Sequence, residues 1–145
     1  TFIKLTVPPP SMILFDASNR DQCEVKRSRT NTPLQALMML NDPLVLEASR
    51  VLAQQLVNSS QDVSGQIQTA FRRIVCRKPT EQELKILMDY YQEQAHLFSN
   101  KKLDAGKTIA VGEYPQTKNA DPLRLAPLMK VINAIYNLEE TTTKS

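Results

Sequence analysis

The sequence predicts an all-α fold, an irregular helical bundle of about five helices with an extended, proline-rich N-terminal strap. Leu, Ala, Gln, Lys and Glu dominate its periodic segments, and these residues favour helix. Apolar residues recur in those segments at three- and four-residue spacing, as they do on one face of a helix. The nine prolines stand before or between the segments, where they start or stop helices.

Length and composition are those of one globular domain. The 145 residues allow a single core, and 41% hydrophobic with 23% charged residues is ordinary for such a chain. A net charge of +3 is too small to indicate a nucleic-acid partner. No apolar run approaches the roughly 20 residues of a membrane span, so we expect no membrane insertion.

We therefore expect a single helical domain over residues 1–145. Because the sequence starts in mid-pattern, we expect it to be the C-terminal fragment of a larger domain, and the missing signal peptide then says nothing about compartment. The expected parts are an extended strap and polar loop over 1–31, a four-helix core over 32–98, a loop over 99–121 and a final helix over 122–140.

The strap is predicted from two neighbouring features. Pro8 to Pro10 should be extended and polyproline-like. Met12 to Phe15 is too apolar to lie free in water, so we expect it to pack across the helices. A proline-rich ligand for a partner's aromatic groove is the alternative, and it would need a longer exposed motif.

The polar loop that follows carries charges of both signs, from Asp16, Asp21, Glu24, Lys26, Arg27 and Arg29. They could form an anion site beside the next helix N-terminus. Alternatively, Arg27 or Arg29 could tie the loop together through a bidentate pair with a carboxylate. We favour the pair, because matching carboxylates lie in the same loop.

Two helices with a sharp break between them are the clearest local signal. Thr32 can cap a helix, and Pro33 suits its first position, where the missing N–H costs nothing. Asp42 and Pro43 repeat the pattern. The two expected helices span 33–40 and 43–57. Leu34, Leu37 and Met38 fall on one face of the first helix at three- and four-residue spacing. The inward stripe expected for the second is Val45, Ala48, Leu52 and Leu56.

Two further helices complete the expected core. Asp62 can cap a helix over 63–76, and Thr80 with Glu83 fits the capping box that starts a helix over 81–98. Their inward residues are expected to be Ile67, Ala70, Phe71 and Ile74, then Leu84, Leu87, Met88, Tyr91, Ala95 and Phe98.

The remaining sequence is less regular. Residues 102–111 can form a short helix within the loop. The last helix starts either at Asp121-Pro122 or, after a break, near Pro127, which would bend a helix. Its inward residues are expected to be Leu128, Ile132, Ile135 and Tyr136.

The sequence contains no complete catalytic constellation and no set of metal ligands. His96 is the only histidine, and we expect it to be exposed or helix-capping. Cys23 and Cys76 are expected to be free, mostly buried thiols, although a disulfide would be compatible with the sequence. The polar residues that could form a structural network or a site are Asp16, Arg27, Arg29, Asn31, Gln35 and Asn41.

Several motifs also resemble a known family. The strongest matches are Pro8 to Pro10, Phe15-Asp16, Arg27, Arg29-Thr30-Asn31-Thr32-Pro33-Leu34-Gln35-Ala36-Leu37 and Leu40-Asn41-Asp42-Pro43. Weaker ones are Ala70-Phe71-Arg72, Arg77-x-Pro79-Thr80 with Glu83-Leu84, and Asn137-Leu138-Glu139-Glu140. They resemble the C-terminal part of the planctomycete-type conserved domain of unknown function, found downstream of cytochrome-c-like domains in exported bacterial proteins.

The resemblance implies an exported, periplasmic or cell-surface protein. It implies no cofactor in this chain, since any haem of the full-length protein would be bound outside it. We expect a non-catalytic structural or interaction module, whose partner is the upstream half of the same protein or another protein domain. The alternative is part of an exported enzyme, a polysaccharide hydrolase or a redox enzyme, whose site is completed by upstream residues.

Overall fold

The structure, a computed structural model, describes residues 10–17, 30, 32–59, 62–116 and 121–142. Every regular element in these ranges is an α-helix, which confirms the predicted all-α class. The helices are α1 (Pro10–Leu14), α2 (Pro33–Asn41), α3 (Pro43–Val57), α4 (Val63–Val75), α5 (Glu81–Ser99), α6 (Ala105–Ile109), α7 (Pro122–Tyr136) and α8 (Glu139–Thr142). Tertiary contacts divide the chain into two compact units, residues 1–38 and 39–145, and each is described by itself.

The first unit departs from the expected extended strap. Pro10–Leu14 forms a short helix, so the extended conformation predicted there is wrong. Proline is compatible with a helix when it occupies the first position, because that position needs no N–H donor. Asp16 follows with a positive φ of 53°, which ends the turn.

The second unit is built around α7. This helix packs against α3, α4, α5 and α6, and nearly all of its residues from Leu125 to Ile135 are buried. The buried apolar residues of the unit are Ala53, Leu56, Ile67, Ala70, Phe71, Phe98, Ala105, Ile109, Leu125, Ala126, Leu128, Met129, Val131, Ile132 and Ile135. Burial of this apolar surface is the main contribution to the stability of the unit.

Proline and side-chain caps define where the longer helices of this unit begin. Asp42 caps α3 by accepting from the backbone N–H of Leu44 and Val45. Asp62 accepts from Gly65 N at the start of α4, and Thr80 forms a capping box with Glu83 at the start of α5.

The inward face of α3 differs from the predicted stripe. Ala48 is exposed, whereas the neighbouring Ser49 and Arg50 are fully buried. Both polar side chains have hydrogen-bond partners inside the fold: Ser49 Oγ donates to the carbonyl of Val45, and Arg50 Nε donates to that of Val111. The face is therefore set by those partners as well as by hydropathy.

The region expected as a loop over 99–121 includes α6, which Asp104 caps. The last long helix starts at Pro122, with Asp121 as its cap, and Pro127 lies inside it. Pro127 removes the backbone donor for the carbonyl of Leu123, which belongs to the exposed first turn, where water can replace it. The helix ends at Tyr136, and α8 follows.

Candidate functional site

Three polar clusters stand out among the described residues. In the first unit, the Asp16 carboxylate accepts from Thr30 twice, at 2.8 Å from the backbone N–H and at 2.7 Å from the hydroxyl. Thr30 in turn accepts from Gln35 Nε2 at 3.0 Å. Asp16 and Gln35, two residues of the predicted polar network, are thus linked through Thr30, which that network did not include.

Gln35 is the centre of this cluster. Its Nε2 also donates to the carbonyl of Leu14 at 2.7 Å, which fastens α1 to the start of α2. Its Oε1 accepts from Thr32 N at 2.9 Å, while Thr32 Oγ1 accepts from Gln35 N at 3.3 Å. This reciprocal pair is a capping box with glutamine in place of glutamate.

The outward side of α2 is apolar. Leu34 and Leu37 are each 57% exposed, whereas Gln35 between them is only 7% exposed. The apolar face that the spacing of Leu34 and Leu37 predicts is therefore turned outward at both leucines. The physical reason is that the three hydrogen bonds of the Gln35 side-chain amide fix which side of the helix turns inward.

The structure does not test the rest of the predicted polar network. Asn41 is the last residue of α2 and is exposed. Arg27, Arg29 and Asn31 lie outside the described residues. The proposed pairing of an arginine with a loop carboxylate therefore stays a prediction.

The second cluster surrounds Arg77, between α4 and α5. Nη1 and Nη2 donate to the two oxygens of Glu83 at 2.9 and 2.6 Å. Nε and Nη2 donate to those of Glu140 at 2.9 and 2.7 Å. The guanidinium also lies over the ring of Phe71, 4.9 Å from its centroid. With the bond from Nη1 to the carbonyl of Lys78, its donors are fully used.

The hydrogen bonds of this cluster shift the pKa values of Arg77, Glu83 and Glu140 so that all three groups are more firmly ionised. The Arg77 hydrogen bonds and the backbone N–H of Thr80 lower the pKa of Glu83 from 4.5 to about 2. Hydrogen bonding to Arg77 also lowers the pKa of Glu140, and both carboxylates raise the pKa of Arg77. Because these groups stay ionised near neutral pH, they are poor general acids or bases there.

The third cluster surrounds Arg50 of α3, whose side chain is completely buried. Its Nε donates to the carbonyl of Val111 at 2.9 Å, and Nη2 donates to that of Tyr114 at 2.7 Å. Nη1 donates to Gln54 Oε1 at 3.3 Å, and Glu47 Oε1 lies 3.7 Å from Nη2. The arginine therefore holds the segment after α6 against α3.

Glu47 completes this attachment from the outside. Its carboxylate accepts from the backbone N–H of Tyr114, and it lies against Gly112. Gly112 has a φ of 83°, and a Cβ atom there would come within 2.3 Å of Glu47 Cδ. Glycine is required at this position both for its conformation and for the close approach.

His96 and Cys76, two residues with potentially reactive side chains, are both exposed. His96 is exposed near the end of α5, with Nε2 3.0 Å from Asn100 Nδ2. Cys76 is exposed at the C-cap of α4, with a φ of 63°, so the expected burial of its thiol is wrong. The cap turns the backbone left-handed at this residue, which carries its side chain away from the core. Cys23 lies outside the described residues.

Within the described ranges, no group of three or more His, Cys, Asp or Glu side chains is arranged to hold a metal ion. None of the helices there combines the length and apolar character needed to cross a bilayer. The hydrogen bonds of the three clusters join segments that are distant in the sequence.

Two of the three central residues, Arg50 and Arg77, were missed as network residues by sequence reasoning. Arg50 lies at helical spacing from Leu46, Ala53 and Val57, in register with the inward face of α3, which was a usable signal. Arg77 precedes the capping box, but its partner Glu140 is 63 positions away and could not be identified locally.

Comparison with known protein families identifies a family but no reaction. A model of the family described as Protein of unknown function (DUF1553) matches residues 1–91, more than half of the chain. No curated protein and no solved structure matches the chain.

Proposed function

We propose that this chain, which belongs to the family described as Protein of unknown function (DUF1553), is a non-catalytic helical module that packs against another protein segment. The partner is either an upstream part of the same protein or a separate domain. The observation that carries this proposal is the inverted polarity of α2, where a glutamine is buried and two leucines are exposed.

We define the proposed docking face as the exposed large apolar residues described in the first unit, Met12 and Ile13 of α1 and Leu34 and Leu37 of α2. Ile13 is 61% exposed, similar to the two leucines. Large apolar side chains that stay in water cost free energy unless another surface covers them. This favours a module that becomes complete on binding.

The hydrogen-bond partners of the three central polar side chains also support a structural role. Gln35, Arg50 and Arg77 are each bound by backbone or carboxylate groups of their own unit. A substrate site would instead need polar groups that converge on an accessible cavity. No observation on the described residues favours the alternative of an exported hydrolase or redox enzyme.

The wider setting follows from the family resemblance. We propose that the module belongs to an exported, periplasmic or cell-surface protein that also carries a cytochrome-c-like domain. Any haem would be bound by that domain, so this chain has only a packing role. The Asn-Leu-Glu-Glu sequence at 137–140 supports the resemblance near the end of the chain.

The docking face can be tested by thiol labelling. Leu37→Cys is introduced with Cys23 and Cys76 replaced by serine, both in this chain and in the complete natural protein. We expect labelling of the new thiol to be at least about tenfold slower in the complete protein, since a covering segment must open first.

Ile86→Cys provides the matched control, because Ile86 is exposed on α5 of the other unit. Its labelling rate should be the same in both proteins. Equal rates at Leu37→Cys in the two proteins would rule out an intramolecular partner. If adding the organism's other exported proteins also left the rate unchanged, the proposal would fail.

A further inference from the structure

The break between α2 and α3 leaves one backbone carbonyl without its usual helical donor. In a continuous helix the carbonyl of Leu40 would accept from the N–H of Leu44. Here that N–H donates to the Asp42 carboxylate at 2.8 Å instead. Asn133 of α7 supplies the replacement, because its Nδ2 donates to the carbonyl of Leu40 at 3.1 Å. All of these residues belong to the second unit.

The same bond fixes the orientation of the Asn133 amide. The reversed amide would place two oxygens side by side, so Nδ2 must face Leu40 and Oδ1 is the other terminal atom. Asn133 is only 4% exposed. Within the ranges described above, its Oδ1 is the one buried side-chain oxygen or nitrogen that has no hydrogen-bond partner. Such an acceptor costs free energy until a donor reaches it.

The surface next to this amide is apolar. Leu40, whose carbonyl the amide contacts, is 39% exposed, and Leu44 on the other side of the break is 76% exposed. An occupant therefore needs apolar atoms around a hydrogen-bond donor. Charges of both signs are already close in sequence, Asp42 at the break and Lys130 one turn before Asn133 on α7. A neutral donor is the best match, since an ion of either sign would meet a like charge.

We propose that the α2–α3 corner, defined as Leu40, Leu44 and Asn133, binds an apolar peptide segment of a partner protein, whose backbone N–H donates to Asn133 Oδ1. A peptide fits this corner because it carries neutral N–H donors between apolar side chains, which would cover the two leucines. The corner lies in the second unit and the docking face in the first. This inference therefore goes beyond the docking proposal and does not depend on it.

The test uses N-acetyl-leucine N′-methylamide as the probe, because it presents peptide N–H groups beside one apolar side chain. Two-dimensional ¹H–¹⁵N NMR of the whole chain follows the Asn133 side-chain amide and the backbone amides of Leu40 and Leu44 during a titration. We expect saturable shifts at these groups, with a Kd on the order of 10 mM for so small a ligand. The same molecule with both amide nitrogens methylated is the matched control. It should bind at least about tenfold more weakly, since it leaves Oδ1 without a donor.

Asn133→Leu tests the contact from the protein side. The leucine has a similar branched shape and removes the unpaired acceptor, and Leu40 is exposed enough for water to replace the lost donor at its carbonyl. We expect this variant to fold and to bind the probe at least about tenfold more weakly than the wild type. If it does not fold, the two probes on the wild-type chain still decide.

The proposal is overturned if the probe gives no saturable shifts at the corner, or if the methylated probe binds equally well. Equal binding to a folded Asn133→Leu variant would also overturn it. So would a nuclear Overhauser effect between the Asn133 amide protons and a bound water that persists when the probe is saturating, because Oδ1 would then be an internal hydration site.

Discussion

Replacing Arg50 by alanine is expected to lower the free energy of unfolding by about 3–5 kcal/mol, the cost of breaking a buried charged network. The side chain is fully buried, and four acceptor groups surround its guanidinium. Its loss leaves the carbonyls of Val111 and Tyr114 without their donor and opens a void beside α3. Urea unfolding of the two proteins measures the difference.

A second variant separates the hydrogen bonds from the volume. Arg50→Met refills most of the space and supplies no donor, so it should recover only part of the loss. We also expect faster amide exchange at residues 111–114 in both variants, since these residues lose their attachment to α3. A loss below about 1 kcal/mol in Arg50→Ala would show that the arginine does not hold this segment.

Replacing Phe71 by alanine should have a similar effect, a loss of about 3–5 kcal/mol. The ring is buried in the core of the second unit, and it also supports the guanidinium of Arg77. The truncation therefore creates a cavity and removes the aromatic surface beneath the charge cluster. Thermal or chemical unfolding gives the magnitude.

Phe71→Leu distinguishes the two effects, because it keeps much of the apolar volume without an aromatic face. It should be clearly more stable than Phe71→Ala, and Arg77 should be less ordered in it than in the wild type. If Phe71→Ala unfolds with nearly wild-type stability, the assigned core of the second unit is wrong.

Local signals were sufficient to anticipate the helical class and most helix starts. Pro33, Pro43 and Pro122 occupy first helical positions in the structure. Such signals act within one turn of the chain, so a single sequence contains them in full. Pro127 was ambiguous, because the sequence does not reveal whether a helix already exists on both sides of it.

Unlike the helix starts, the side of each helix that faces inward could not be predicted from hydropathy alone. Gln35 is buried because Leu14 and Thr30 provide hydrogen-bond partners, and Arg50 is buried because a segment 61 positions later covers it. Those partners depend on the tertiary fold. A polar residue in register with an apolar stripe is the sequence signal for such a site, and Arg50 followed that pattern.

The docking proposal depends on which side of α2 is turned inward, and one comparison tests this directly. Gln35→Ala and Leu34→Ala are unfolded in urea beside the wild-type chain. The account predicts that Gln35→Ala loses about 1–3 kcal/mol, because it leaves buried groups without partners, whereas Leu34→Ala changes by no more than about 0.5 kcal/mol. The opposite order would contradict it, since the leucine would then be the buried residue and no apolar face would remain for a partner.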